Sequence, residues 1–172
     1  MLDSMNHGMY RSSRKNVDAV TYPSADHAFF NDTRPEVFDK KAAEDAVKDW
    51  AESTRARNLD DHMKHYADML ETYYKRQKVG AFQVRTDRNN AFTRYDKMDV
   101  IIDNVEVTSD PTGLRATVAF DKTWDFDSPD RNSTGSVRQQ LTLTRVGGRW
   151  LITGEKDLEV HYSNSTEDGT TN

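Results

Sequence analysis

The sequence predicts an α+β domain in which N-terminal helices pack into one face of a curved antiparallel β-sheet. Two observations carry this. From Lys97 to Tyr162, four segments rich in Val, Ile, Thr, Leu and aromatic residues are separated by turn-forming clusters, at Asp110-Pro111-Thr112-Gly113, at Ser128 to Gly135, and at Gly147-Gly148. That is the pattern of an antiparallel meander. A meander alone leaves one apolar face bare, and the stretch from Lys41 to Asp96 reads as helices able to cover it.

Taken in order, residues 1–16 lack any sustained period, and a short strand is expected at Val17 to Tyr22, ended by Pro23. Asp39 is placed to cap a helix on which Ala42, Ala43, Ala46, Val47, Trp50, Ala51 and Thr54 recur at i, i+3, i+4, i+7 spacing. Asn58 breaks that run. A second helix is expected over Leu59 to Ala67. Asp68 to Tyr74 is either a short strand or a helical turn. A third helix is expected over Lys78 to Tyr95, with Val79, Phe82, Phe92 and Tyr95 apolar and a polar middle, Arg85 to Asn90, that faces solvent or lines a wet cavity.

In the meander, Leu114, Ala116, Val118, Phe120, Trp124 and Phe126 share one strand face, which Lys122 interrupts. On the next strand Val137, Leu141 and Leu143 alternate with Arg138, Gln140, Thr142 and Thr144. Gly147-Gly148 suits a two-residue primed turn, where residues take positive φ. Gly154 allows a bulge in the last strand. The resulting division is an arm over residues 1–38, a domain over 39–162 and a disordered tail over 163–172. Removal of residues 1–35 is expected to leave a folded domain.

Composition bounds the function. With 172 residues the chain suits one domain, and its formal charge of −5 gives no global field for nucleic acid or anionic lipid. Mean hydropathy is −0.92. No window has membrane-spanning length and no apolar run resembles a signal-peptide core, so a cytoplasmic protein is expected, without nucleic-acid or membrane partners. The absence of cysteine excludes disulfides, thiolate metal sites and a cysteine nucleophile.

Two stretches resemble known families. Asp26-His27-Ala28-Phe29-Phe30-Asn31-Asp32-Thr33-Arg34-Pro35, after Val17-Asp18-Ala19-Val20-Thr21-Tyr22-Pro23, resembles the C-terminal end of dienelactone hydrolases over about residues 5–46. The resemblance would put His27 in the general-base position of a Cys-His-Asp triad, but the chain has no cysteine and no nucleophile elbow. A relic or fused segment is the expected reading. The second resemblance rests on Val47-Lys48-Asp49-Trp50, on Asn58 to Asp68, on Phe92-Thr93-Arg94-Tyr95, and on Thr142-Leu143-Thr144-Arg145 with Gly148-Arg149-Trp150-Leu151-Ile152. Over residues 40–162 these are similar to the NTF2-like superfamily, which includes SnoaL-like and ketosteroid-isomerase-like proteins.

That resemblance implies a cone with a pocket at its open end, lined by Trp50, Tyr66, Tyr73, Phe82, Phe92, Phe120 and Trp124, although aromatics at such periods more often simply fill a core. It also implies a homodimer through the sheet, whose outward face carries Arg138, Gln140, Thr142 and Thr144. A non-catalytic module binding a small apolar ligand is the first reading. An isomerase, dehydratase or cyclase is the alternative, with Asp68, Tyr66 and His65 as candidate catalytic residues. His62 and His65, three apart, make only a weak metal pair, and neither a metal nor a cofactor is expected.

Overall fold

The structure, a computed structural model, describes residues 37–167. In chain order the elements are α1 (Lys40–Arg55), α2 (Leu59–Met63), β1 (Met69–Tyr73), β2 (Arg76–Gly80), α3 (Ala81–Arg94), β3 (Lys97–Ser109), β4 (Arg115–Ser128), β5 (Arg131–Val146) and β6 (Arg149–Glu167). The strands form one six-stranded sheet in the order β2-β1-β6-β5-β4-β3. Every pairing is antiparallel except β1 with β6, which run parallel. The architecture is the expected α+β cone, helices first and a curved sheet around them.

Helix α1 forms where its cap and its spacing place it. The Asp39 carboxylate accepts from the Ala42 N–H at 3.0 Å, and Ala43, Val47, Trp50, Ala51 and Thr54 are buried along one stripe. The helix stops where Arg57 takes a positive φ of 51°, and Asn58 then caps α2, its side chain accepting from the Asp61 N–H. The second helix is shorter than expected. It ends at Met63, because the segment after it is captured by the sheet: Ile152 N–H donates to the His65 carbonyl, and Ala67 N–H donates to the Ile152 carbonyl.

Within Asp68 to Tyr74, Met69–Tyr73 forms a strand rather than a helical turn. The expected third helix begins three residues late, since Lys78 and Val79 belong to β2, where Val79 pairs with Leu70. Tyr74 and Lys78 accept positive φ of 54° and 53° to make this hairpin. Its edge position explains why no clean alternation marks it in the sequence. The meander's turns differ in length from expectation. Gly147 and Gly148 take φ of 57° and 78° between the paired Val146 and Arg149, as a primed turn requires. The cluster from Ser128 to Gly135, by contrast, is turn only at Pro129-Asp130; from Arg131 it is strand. Nor is the segment after Tyr162 loose at its start. Ser163 to Glu167 continue β6 and pair with Gly135 to Arg131, so two polar strands extend one another by backbone hydrogen bonds alone.

Three bulges in β6 decide which of its side chains enter the cone. Opposite β5 the register skips Thr153, Leu158 and His161. Each skip inverts the alternation of faces. Ile152 points inward opposite Leu143; without the first bulge, Glu155 would point outward. With it, Glu155 lies opposite inward-facing Leu141 and is fully buried. Gly154 sits beside this bulge, where a Cβ would approach the Thr142 side chain to 3.1 Å.

Gly135 has a sharper constraint. It faces Trp124 across the β4–β5 ladder, and a Cβ there would come within 2.1 Å of the indole ring. Gly135→Ala is therefore expected to destabilise the domain by about 1–3 kcal/mol, the usual cost of overpacking. Urea denaturation of Gly135→Ala, Trp124→Ala and the double variant checks this: the penalty should vanish when the indole is absent, and additive effects would refute the contact.

Candidate functional site

The interior of the cone contains a polar cluster that no apolar core requires. Glu155 on β6 is fully buried and accepts from four side chains. Tyr66, just before β1, donates to Oε2 at 2.8 Å. Tyr74, just after β1, donates to Oε1 at 2.8 Å, and Gln139 on β5 donates to the same oxygen at 3.2 Å. Arg88, the one residue of the polar middle of α3 that turns inward, closes the set with an ion pair to Oε1. Tyr66 is itself fixed, its hydroxyl receiving the Trp50 indole N–H at 2.9 Å and an Arg88 N–H at 3.1 Å.

Burial alone would push the Glu155 carboxyl up, but the Arg88 guanidinium and the hydroxyl donors outweigh it and hold the group at about 2. Burial drives both Tyr66 and Tyr74 well above the ordinary phenol value. A carboxylate this strongly satisfied is a poor proton acceptor.

His62 on α2 is the second buried titratable group. Ser53 and Thr54 both donate their hydroxyl protons to the Trp50 carbonyl, at 2.7 and 3.1 Å. The Ser53 oxygen can then only accept from His62 Nδ1, 2.8 Å away, which assigns the neutral Nδ1–H tautomer and leaves Nε2 without a partner among the described residues. Trp50, Tyr66 and Phe92 enclose the ring. Burial, with Arg88 nearby, lowers its pKa to about 3.

Beside this cluster lies a cavity of about 380 Å³. Trp50, Phe92, Trp124 and Phe126 supply aromatic walls, Met98, Val100 and Val137 aliphatic ones, and Thr54, Tyr74, Arg88, Lys122, Asp157 and Ser163 polar groups. Lys122 is the residue that interrupts the apolar face of β4. It projects inward, its Nζ 5.9 Å from the centre of the Trp50 ring and 5.6 Å from that of Trp124. It is half-buried, with part of its surface bordering the cavity, and burial lowers its ammonium to about 8. Asp157, at the exposed side, is raised by burial.

Of the expected lining residues, Trp50, Phe92 and Trp124 border this cavity. Tyr66 lies behind the wall, bonded to Glu155; Phe120 is core, 6.1 Å from Trp50; Tyr73 is buried against Tyr74 and Arg76. Phe82 is 81 % exposed and faces solvent, because the start of α3 is shifted by β2. Asp68 is exposed and contributes its carbonyl to the Ala81 N–H. His65 lies past the end of α2 and outside the lining, with a pKa lowered by burial, and no group of three metal-ligating side chains occurs among the described residues. Lys122 was visible in the sequence as a break in alternation; Glu155 was hidden by the bulge before it. His27 lies outside the described residues.

Because His62 binds a proton near pH 6.5 when unfolded and only near 3 when folded, the unfolded state holds more protons in between. Stability should be fully present above pH 6.5 and decline below it by about 1.4 kcal/mol per pH unit, a loss to which Glu155 adds between about 4.5 and 2. Chemical denaturation from pH 7 to 4 checks this, and His62→Phe should flatten the slope. Glu155→Gln, which strands the Arg88 charge, is expected to cost about 3–5 kcal/mol, whereas Arg88→Met with Glu155→Met together should cost much less than the two singly.

Comparisons place this geometry among known folds. No protein-family profile matches the sequence, and no curated protein matches it. Solved structures do match. A proposed aromatic ring hydroxylase from Novosphingobium aromaticivorans superposes with a TM-score of 0.64 at 17 % identity, over 73 % of this chain and 92 % of that one. A proposed dehydratase of the NTF2-like family from Streptomyces avermitilis gives 0.61 at 10 %, over 71 % and 96 %. A Nostoc punctiforme protein of unknown function with a cystatin-like fold gives 0.54 at 14 %, over 71 % and 90 %. None of these findings supports the dienelactone-hydrolase resemblance of residues 5–46. The described domain has the NTF2-like, cystatin-like cone fold.

Proposed function

We propose that this domain binds a small, largely flat organic ligand in the cone cavity and does not transform it. The observation that carries the reading is the cavity itself: about 380 Å³ walled by Trp50, Phe92, Trp124 and Phe126, with polar groups among its aromatic and aliphatic walls. Sites for small molecules have this character. An isomerase or dehydratase, as the alternative, needs a proton acceptor facing the ligand. The similar structures include a proposed dehydratase and a proposed aromatic ring hydroxylase, which keeps that alternative open to test. Here the buried carboxylate is saturated, the buried histidine is walled off by aromatic rings, and the one carboxylate in the lining, Asp157, sits at the exposed side away from the aromatic walls' interior, so the geometry favours binding.

Titration with fused-ring aromatic probes, followed by intrinsic tryptophan fluorescence and melting temperature, tests the reading. Saturable quenching with a raised melting temperature is expected, and Trp124→Ala should weaken it at least tenfold while the fold persists. Absence of any shift across such probes would sink it.

We also propose that the outer sheet face makes a homodimer. Across four strands Ile101, Thr123, Ser136 and Tyr162 form one cross-strand row on that face. Its ends are apolar and open, Ile101 being 56 % and Tyr162 48 % exposed. Light scattering should give twice the 19.8 kDa chain mass, and Ile101→Asp with Tyr162→Asp should halve it; a monomeric wild type refutes the proposal.

A further inference from the structure

We propose that the ligand of this cavity is an anion, an aromatic carboxylate whose charged group docks on Lys122; this rests on reading the cavity as a ligand site. The charges that face Lys122 are Arg88 on α3 and Glu155 and Asp157 on β6. Arg88 and Glu155 cancel one another in a direct ion pair. Asp157 lies on the exposed side of the lining and makes no ion pair with Lys122. No other carboxylate of the described residues comes within 4.0 Å of its ammonium, and none of its three N–H donors has a hydrogen-bond acceptor among them. Among the described residues, the other charges inside the cone, Arg88 and Glu155, are paired with each other, and Lys122 has no ion-pair partner.

Lys122 is half-buried, and an ammonium partly withdrawn from water without a counter-charge is costly. The two indoles near it recover part of that cost as cation–π attraction, and they do so without using its hydrogen-bonding capacity. What the site lacks is an acceptor with negative charge, and the space for one is the cavity. A carboxylate provides up to four acceptor sites for those donors, and an attached ring places its body between the Trp124, Phe92 and Phe126 walls. A ligand cation would meet Lys122 directly and is disfavoured. A neutral carbonyl would accept a hydrogen bond and leave the charge uncompensated.

The probes are 2-naphthoate and its neutral near-isostere 2-naphthamide, titrated calorimetrically into the full-length chain at pH 7. Wild type should prefer naphthoate at least tenfold. Lys122→Met should abolish that preference while leaving naphthamide affinity within threefold, and its melting temperature should not fall, because an uncompensated charge is removed. Lys122→Arg should retain the preference in part. Asp157→Asn should strengthen naphthoate binding and leave naphthamide unchanged. Equal binding of the two probes by wild type overturns the inference and leaves the cavity reading standing. Undiminished preference in Lys122→Met also overturns it. Binding of neither probe overturns the inference and the cavity reading together.

Discussion

The salt link between Arg88 and Glu155 lies where α3, the segment flanking β1, and strands β5 and β6 converge. A carboxylate with no contact with water exists there because four donors surround it, and those donors come from residues far apart in the chain. Each is held in turn. The Trp50 indole N–H fixes Tyr66, and Trp50 is also the floor of the cavity. The polar cluster therefore sets the position of the aromatic wall, and the shape of the cavity follows from electrostatics as much as from apolar packing. Such a pair adds little net stability over an apolar replacement, but it tolerates few alternative arrangements.

The same interior holds two cations in different conditions. Arg88 has its counter-charge built in, and its planar fork suits the several acceptors it meets. Lys122 has two indole rings and open space. Burial acts on both, yet the pairing of Arg88 with Glu155 outweighs it and raises the Arg88 pKa, whereas for Lys122 burial prevails and lowers it. The groups commonly sought for chemistry, a buried acid and a buried histidine, are here the most constrained. The cation left without a counter-charge among the described residues is a lysine on a strand.

Local rules made much of this legible. Asp39 and the spacing of Ala43, Val47, Trp50 and Ala51 announce α1, and Gly147-Gly148 announces the last hairpin. Lys122 showed itself as a charged residue on an apolar strand face. What escaped was whatever depends on register between distant segments. The β1–β2 hairpin has too few apolar residues to show alternation, so Phe82 was assigned to the wrong side. Arg88 sits in a polar run whose neighbours Arg85 and Asp87 do bind surface partners, Asp60 and Arg76. Nothing local distinguishes it from them. Glu155 was concealed because the bulge at Thr153 reverses the alternation by which it would have been judged.

That reversal makes β6 a strand on which counting matters more than chemistry. Between Ile152 and Ser163 its reading frame changes three times. Losing Gly154 while the bulge persists would bring Glu155 opposite Thr142 on the outer face and Lys156 opposite Leu141 in the interior, with no other residue chemically altered. Among descendants of this fold, single-residue insertions and deletions along this strand are thus a route by which a cavity exchanges its polar lining in one step. Substitution would need several.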